Sequence, residues 1–168
     1  MRLDNSRYNE YIRGVKKPAH PASSAAPPGA AEEAAFLDLL RTCDILSRRL
    51  ADVLKPADLS ATQYNVLRIL RGAKQALPCG EIAGRMITRD PDVTRLLDRM
   101  EKRGLISRCR ETKDRRMVLA RITPEGLNVL AELDGPVQQA HRAQLGHLGP
   151  ERLRKLAALL RAARAQGD

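Results

Sequence analysis

Aromatic residues are nearly missing from this chain. Phe36, Tyr8, Tyr11 and Tyr64 are all there are, and tryptophan does not occur. Proteins that grip single-stranded nucleic acid usually stack its bases on rings. The shortage argues against that class and leaves duplex DNA as the better nucleic-acid partner. Cysteine is equally sparse: Cys43, Cys79 and Cys109 are scattered and odd in number. That is no disulfide framework, and no pair has metal-ligand spacing. No run of 18 apolar residues occurs, so no membrane partner is expected. Met1 to Lys17 is polar and lacks the apolar centre of a secretory leader, which predicts a cytoplasmic, nucleoid-associated protein. Glycine-rich phosphate loops, nucleophile elbows and paired histidines at metal spacing are missing too. The expectation is therefore no enzyme, no cofactor and no metal. His141 and His147, six apart with no acidic cluster beside them, read as surface histidines of a helix.

What the chain has in excess is positive charge. Its 168 residues carry a net +10, with 43% hydrophobic residues. That composition predicts one folded domain plus a tail, and a polyanionic partner. Residues 1–30 read as a disordered, basic, Pro/Ala-rich tail, with Arg2, Arg7, Arg13, Lys16 and Lys17 set against Asp4 and Glu10. It is either a solvated extension or a basic arm that adds phosphate or minor-groove contacts.

From residue 31 the apolar spacing is helical. A first helix is expected over 31–54, with a stripe from Phe36 through Leu39, Leu40, Cys43, Leu46 and Leu50 to Leu54, stopped by Lys55-Pro56. Ser60-Ala61-Thr62-Gln63 has the form of a capping box opening a second helix, which Gly72 should end. A short third helix follows Pro78. Asp90-Pro91 should cap a fourth, ended by Gly104, with Val93, Leu96, Leu97 and Met100 inward and Thr94, Arg95, Asp98, Arg99 and Lys102 outward. Leu105–Arg110 and Met117–Ile122 flank the charged stretch 111–116 as a hairpin. Thr123-Pro124-Glu125-Gly126 caps a fifth helix, which Pro136 should kink, and Gly149-Pro150-Glu151 starts a sixth.

The fold expected from this order is mainly α with a small β-hairpin wing: a winged helix-turn-helix flanked by N- and C-terminal dimerisation helices. Residues 59–123 would form the DNA-binding lobe of a 31–168 domain, and 31–55 and 124–165 the dimerisation helices. The major groove admits one helix and displays a unique hydrogen-bonding code. The fourth helix suits it. Arg95 and Arg99 lie one turn apart with Thr94 alongside, and arginine can bond two acceptors on guanine at once. Asp92 either accepts from cytosine or, as is favoured, stabilises the first turn. From Arg85 to Arg121 there are twelve Lys or Arg against six Asp or Glu. At the hairpin tip, Arg115 and Arg116 are placed for a neighbouring minor groove, with Asp114 orienting one of them.

These residues also resemble a family. Asp-Val-Thr-Arg-Leu-Leu-Asp-Arg-Met-Glu-Lys-Arg-Gly-Leu-Ile at 92–106 resembles the recognition helix of MarR-type (multiple antibiotic resistance) regulators. Asp114-Arg115-Arg116 resembles their wing signature, Ile122–Gly126 the motif after the wing, and Leu59–Leu70 their second helix. The resemblance spans about residues 31–165 and leaves the tail outside. It implies a homodimer with interlocked first, fifth and sixth helices, which usually represses by covering promoter DNA. In many members a small aromatic acid or phenol, bound between dimer region and lobes, releases the DNA. Two-fold symmetry then implies a pseudo-palindromic operator with half-sites about 10 base pairs apart.

Some relatives sense peroxide through a cysteine near the start of the first helix, helped by tyrosines. Cys43 lies mid-helix with no tyrosine near in sequence, so it reads as a buried core cysteine. Cys79 has a helix start to lower its pKa, and Cys109 lies on a wing strand; either is a candidate reactive thiol. Three other functions stay open: a non-specific architectural DNA binder, a lobe that binds protein, and a thiol-based redox sensor of the same fold.

Overall fold

The computed structural model describes residues 29–88, 90–110 and 117–165. The expected tail lies outside them except for its last two residues, and Ala30 already belongs to the first helix. The chain divides into two units, Met1–Leu39 and Leu40–Asp168.

Helix α1 runs over Ala30–Leu54, with Glu32 and Glu33 in its first turn, where the helix dipole favours acids. A 3-10 turn, Lys55–Ala57, follows, and Asp58 then takes the left-handed conformation at φ 51°. Helix α2, Ala61–Ala73, opens on the expected box: Ser60 Oγ accepts from Gln63 N (3.1 Å) and Gln63 Oε1 accepts from Ser60 N (3.0 Å). Tyr64, Val66, Leu67 and Leu70 form its buried face. The helix does not end at Gly72 as expected but runs one residue past it, because Lys74 supplies the left-handed C-cap at φ 56°.

Strand β1, Leu77–Pro78, leads into helix α3, Cys79–Arg85, anchored by Ile82. Helix α4 spans Val93–Lys102 and buries Leu96, Leu97 and Met100. Its cap is Asp92, not Asp90. Asp90 Oδ1 instead accepts from Asp92 N at 2.8 Å, an Asx turn that carries the chain through Pro91 before the helix begins. The end is a Schellman motif: Leu105 N donates to Met100 O, Gly104 N donates to Glu101 O, and Gly104 sits at φ 71°, where glycine pays no Cβ penalty.

Strands β2 (Ile106–Arg110) and β3 (Val118–Ile122) form the antiparallel wing, with Arg108 opposite Ala120. β1 adds to the other edge of β3, giving the order β1-β3-β2. Leu77 thus also lies opposite Ala120, a fully buried alanine in the central strand. Helix α5, Pro124–Leu145, is capped by Thr123, whose Oγ1 accepts from Gly126 N at 3.1 Å and donates to Gly104 O at 2.6 Å. A Cβ on Gly126 would stand 2.3 Å from Leu105 O. Only glycine lets α5 start this close to the end of α4. The helix is not interrupted at Pro136. A 3-10 turn, Gly146–Leu148, precedes helix α6, Gly149–Arg164.

The core gathers Leu54, Leu59 and the inner faces of α2, α3, α4 and the sheet, with Leu130, Leu133 and Val137 of α5. Each fully buried side chain of this size contributes about 1.5–3 kcal/mol before the entropy of ordering it is set against that gain. The flanking helices are another matter. Leu54 is the one buried residue of α1, and α6 has none. Phe36 is 59% exposed and Leu159 70%. Cys43, expected in a core, is exposed. The core reaches α1 only at Leu50, Val53 and Leu54, so Cys43, further up the stripe, is not covered by it within the single chain.

Candidate nucleic-acid interface

The apolar side of α4 locks into the core, and this fixes what its other side presents. Thr94, Arg95 and Arg99 are all exposed. Arg95 has an 82% exposed side chain, with Nε 3.1 Å from Asp92 Oδ2. Asp92 Oδ1 also accepts from Arg95 N at 3.0 Å. Asp92 is thus engaged at the helix start, the favoured of its two expected roles. An exposed pair such as Asp92–Arg95 is worth about 0.2–1 kcal/mol, whereas a bidentate arginine–guanine contact discriminates by about 1–3 kcal/mol. So weak a pair leaves Arg95 free to exchange Asp92 for a stronger partner.

Two acids on α4 are covered in a way that sequence spacing does not reveal. Arg108, on β2, reaches back across the helix. Its Nη2 lies 2.6 Å from Asp98 Oδ1 and 2.7 Å from Glu101 Oε2, and its Nε donates to Glu101 Oε2 at 2.8 Å. Arg108 N completes the clamp on Glu101 Oε1 at 2.9 Å. The hydrogen bond to Glu101 is the main reason that the guanidinium is held above its ordinary pKa. Asp98, expected on the outer face, is therefore tied to the root of the wing. Arg99, Lys102, Arg110 and Arg121 have no ion-pair partner among the described residues. The positive charges face outward while the acids beside them are taken up internally.

The expected wing-tip residues Asp114, Arg115 and Arg116 lie outside the described residues. Arg103, overlooked in the sequence because it falls at the helix end, caps α4 and bonds to the turn before α2. Cys79 departs from expectation: burial pushes its thiol pKa up, against a smaller opposite pull from Arg108, and its Sγ donates to Val118 O at 3.4 Å. Desolvation outweighs any help from the start of so short a helix. Cys109 is exposed.

A cavity of about 510 Å³ lies between α1, α2, α5 and the turn before α4. Leu50, Tyr64, Ile69 and Ile87 give it apolar walls, and Asn65, Arg68 and His141 give it polar ones. The Arg68 guanidinium stands 5.9 Å from the centre of the Tyr64 ring, and Asn65 Oδ1 accepts from Ile87 N at 2.9 Å.

The MarR family model matches residues 59–118, from the start of α2 into the wing. The multiple antibiotic resistance protein MarR of Salmonella typhimurium is 31% identical over 115 residues, covering 68% of this chain and 79% of that protein. The chain belongs to the MarR family. The crystal structure of a MarR transcription factor from Planctomyces limnophilus matches with a TM-score of 0.62 at 36% identity, over 83% of this chain and 98% of that one. A mutant MarR from E. coli, complexed with operator DNA, matches in fold with a TM-score of 0.72 at 24% identity, over 83% and 99% of the two chains. This MarR-family protein is a DNA-binding transcriptional regulator and not an enzyme. Among the described residues, no helix is long and apolar enough to cross a membrane.

Proposed function

We propose that this regulator binds a pseudo-palindromic operator as a homodimer, represses by covering it, and lets go when a small aromatic acid or phenol binds. The observation that carries this reading is the sorting of charge on α4: Thr94, Arg95 and Arg99 point outward, while Asp98 and Glu101 are bound by Arg108. Exposed arginines beside acids that the protein has already neutralised suit a helix that lies against DNA. Arg95 and Arg99 read base edges in the major groove, Thr94 touches a base or a phosphate, and Asp92 holds Arg95 in position. Arg115 and Arg116 enter the flanking minor groove, with Asp114 orienting one of them. The operator DNA bound to the E. coli relative supports this use of the fold.

The dimer is supported by the apolar stripes on α1 and α6, where Phe36 and Leu39 of α1 and Leu159 of α6 are exposed in the single chain and no residue of α6 is fully buried. The cavity of about 510 Å³ supports the effector: its size suits a small ring, Leu50, Ile69 and Ile87 offer apolar contact, and Arg68 offers a cation for a carboxylate or phenolate. In the test, Arg95→Ala and Arg99→Ala are each assayed against duplexes varied one base pair at a time. Each variant is expected to lose about 1–3 kcal/mol and to relax its choice at one position. Equal weakening on every sequence would overturn direct readout by these residues.

A further inference from the structure

Arg103 ends α4 as its C-cap, yet its guanidinium turns away from the helix. Nη1 donates to Asp58 O at 2.5 Å and Nη2 to Ala57 O at 3.2 Å, with Asp58 Oδ2 3.5 Å from Nη2. All three acceptors belong to the turn that joins α1 to α2. That turn is itself held in one conformation: Asp58 N donates to Lys55 O at 3.0 Å, Leu59 N donates to Leu54 O at 3.3 Å, and Asp58 is left-handed. Carbonyls at the end of a helical turn carry partial negative charge, which a cation complements. The planar fork of an arginine presents its N–H donors in a fixed geometry that suits two of them at once.

The position of this contact matters because α1 is fastened to the core so sparingly. Leu54 is its one buried residue, with Leu50 and Val53 packed beside it. Any tilt of α1 against the reading helix pivots on the stretch from Leu54 to Leu59, and Arg103 bridges that pivot to α4.

We propose that Arg103 is a positioning residue that locks α4 to the end of α1 and so fixes which separation of operator half-sites the dimer accepts. This rests on the homodimer reading above, in which α1 belongs to the dimer region. Neighbouring base pairs are about 3.4 Å and roughly 35° apart around the duplex. Accepting the next spacing therefore requires the two lobes to shift by that much relative to each other, which a rigid link between α4 and the end of α1 opposes.

The test starts from the half-site that the wild type selects from a random duplex pool. Two inverted copies are then joined by spacers one base pair shorter, equal and one longer, and a third duplex carries one half-site alone. The wild type is expected to prefer one spacing by about tenfold or more, and Arg103→Ala to fall to within about threefold across the three, a difference that one charge-assisted hydrogen bond supports. Arg103→Ala should match the wild type on the lone half-site, and Asp58→Asn, which keeps both carbonyl acceptors, should keep the strict spacing. Unchanged spacing preference in Arg103→Ala overturns the proposal, and so does a parallel loss on the lone half-site, which would mean that Arg103 serves the lobe or the DNA directly. If the wild type selects no paired half-sites, the dimer reading falls and takes the proposal with it.

Discussion

Arg108→Ala separates two jobs that a basic residue beside a reading helix can do: gripping phosphate, or silencing acids. The structure assigns the second, since the side chain is 22% exposed and spent on Asp98 and Glu101. Removing it deletes one positive charge and uncovers two carboxylates on the reading helix. Their side chains are 40% and 37% exposed, so water takes over much of their solvation. The stability cost should then be about 1–2 kcal/mol, well under the 3–5 kcal/mol of a broken fully buried pair. That corresponds to a fall of roughly 2–8 °C in Tm. On DNA, a carboxylate about 8 Å from a phosphate meets a screened repulsion of roughly 0.2–0.5 kcal/mol. Two carboxylates and the nearest few phosphates give about 1 kcal/mol, or about fivefold weaker binding.

Fluorescence polarisation with a selected duplex, repeated at several salt concentrations, reads this directly. The slope of log K against log salt should stay as in the wild type, because no phosphate contact is lost. Adding Asp98→Asn and Glu101→Gln to Arg108→Ala should bring affinity back to within about twofold. A slope smaller by about 0.9, with no recovery in the triple variant, would refute the reasoning and make Arg108 a phosphate contact.

Gly126→Ala drives a Cβ against Leu105 O and the Ile122 side chain; it should cost about 1–3 kcal/mol in urea unfolding, and a neutral result would mean that the α4–α5 junction yields easily. Arg71 holds Asp134 by two hydrogen bonds of 2.7 and 2.8 Å, the main reason that this carboxyl's pKa lies below its usual value. Its stabilising effect, about 0.2–1 kcal/mol for so exposed a pair, is present above the unfolded-state pKa and is lost as pH falls through the lower folded one; Asp134→Asn should flatten that acid limb, and an unchanged limb counts against the pair. Arg115→Ala with Arg116→Ala should weaken duplex binding and lower the salt slope by up to about 2, and unaltered binding would remove the wing tip from the interface.

Much of the fold could be read from local chemistry. Ser60 with Gln63, and Thr123 before Pro124, are caps whose partners sit three residues away, so the sequence carries the whole device. Asp90-Pro91-Asp92 offers two acids and a proline, and only the turn geometry decides that Asp92 is the cap. Gly72 misled because a lysine can also take the left-handed cap. Strand β1 is two residues long and exists only because β3 has an open edge beside it. The candidate site divides the same way. The exposed trio Thr94, Arg95 and Arg99 follows from helical spacing. The clamp of Arg108 on Asp98 and Glu101, the tether of Arg103 and the rise in the Cys79 pKa are tertiary, and spacing carries no trace of them. Cys43 failed as a core residue because an apolar stripe shows that a helix wants cover without saying whether the same chain supplies it.

The central claim, a dimer that reads a specific operator, is tested most directly by selecting bound duplexes from a random pool at about 150 mM salt, where non-specific attraction is weakened. An enriched two-fold symmetric motif with half-sites about 10 base pairs apart is the expected result. Binding that persists only at low salt and enriches no motif would contradict it and make the protein a non-specific DNA binder.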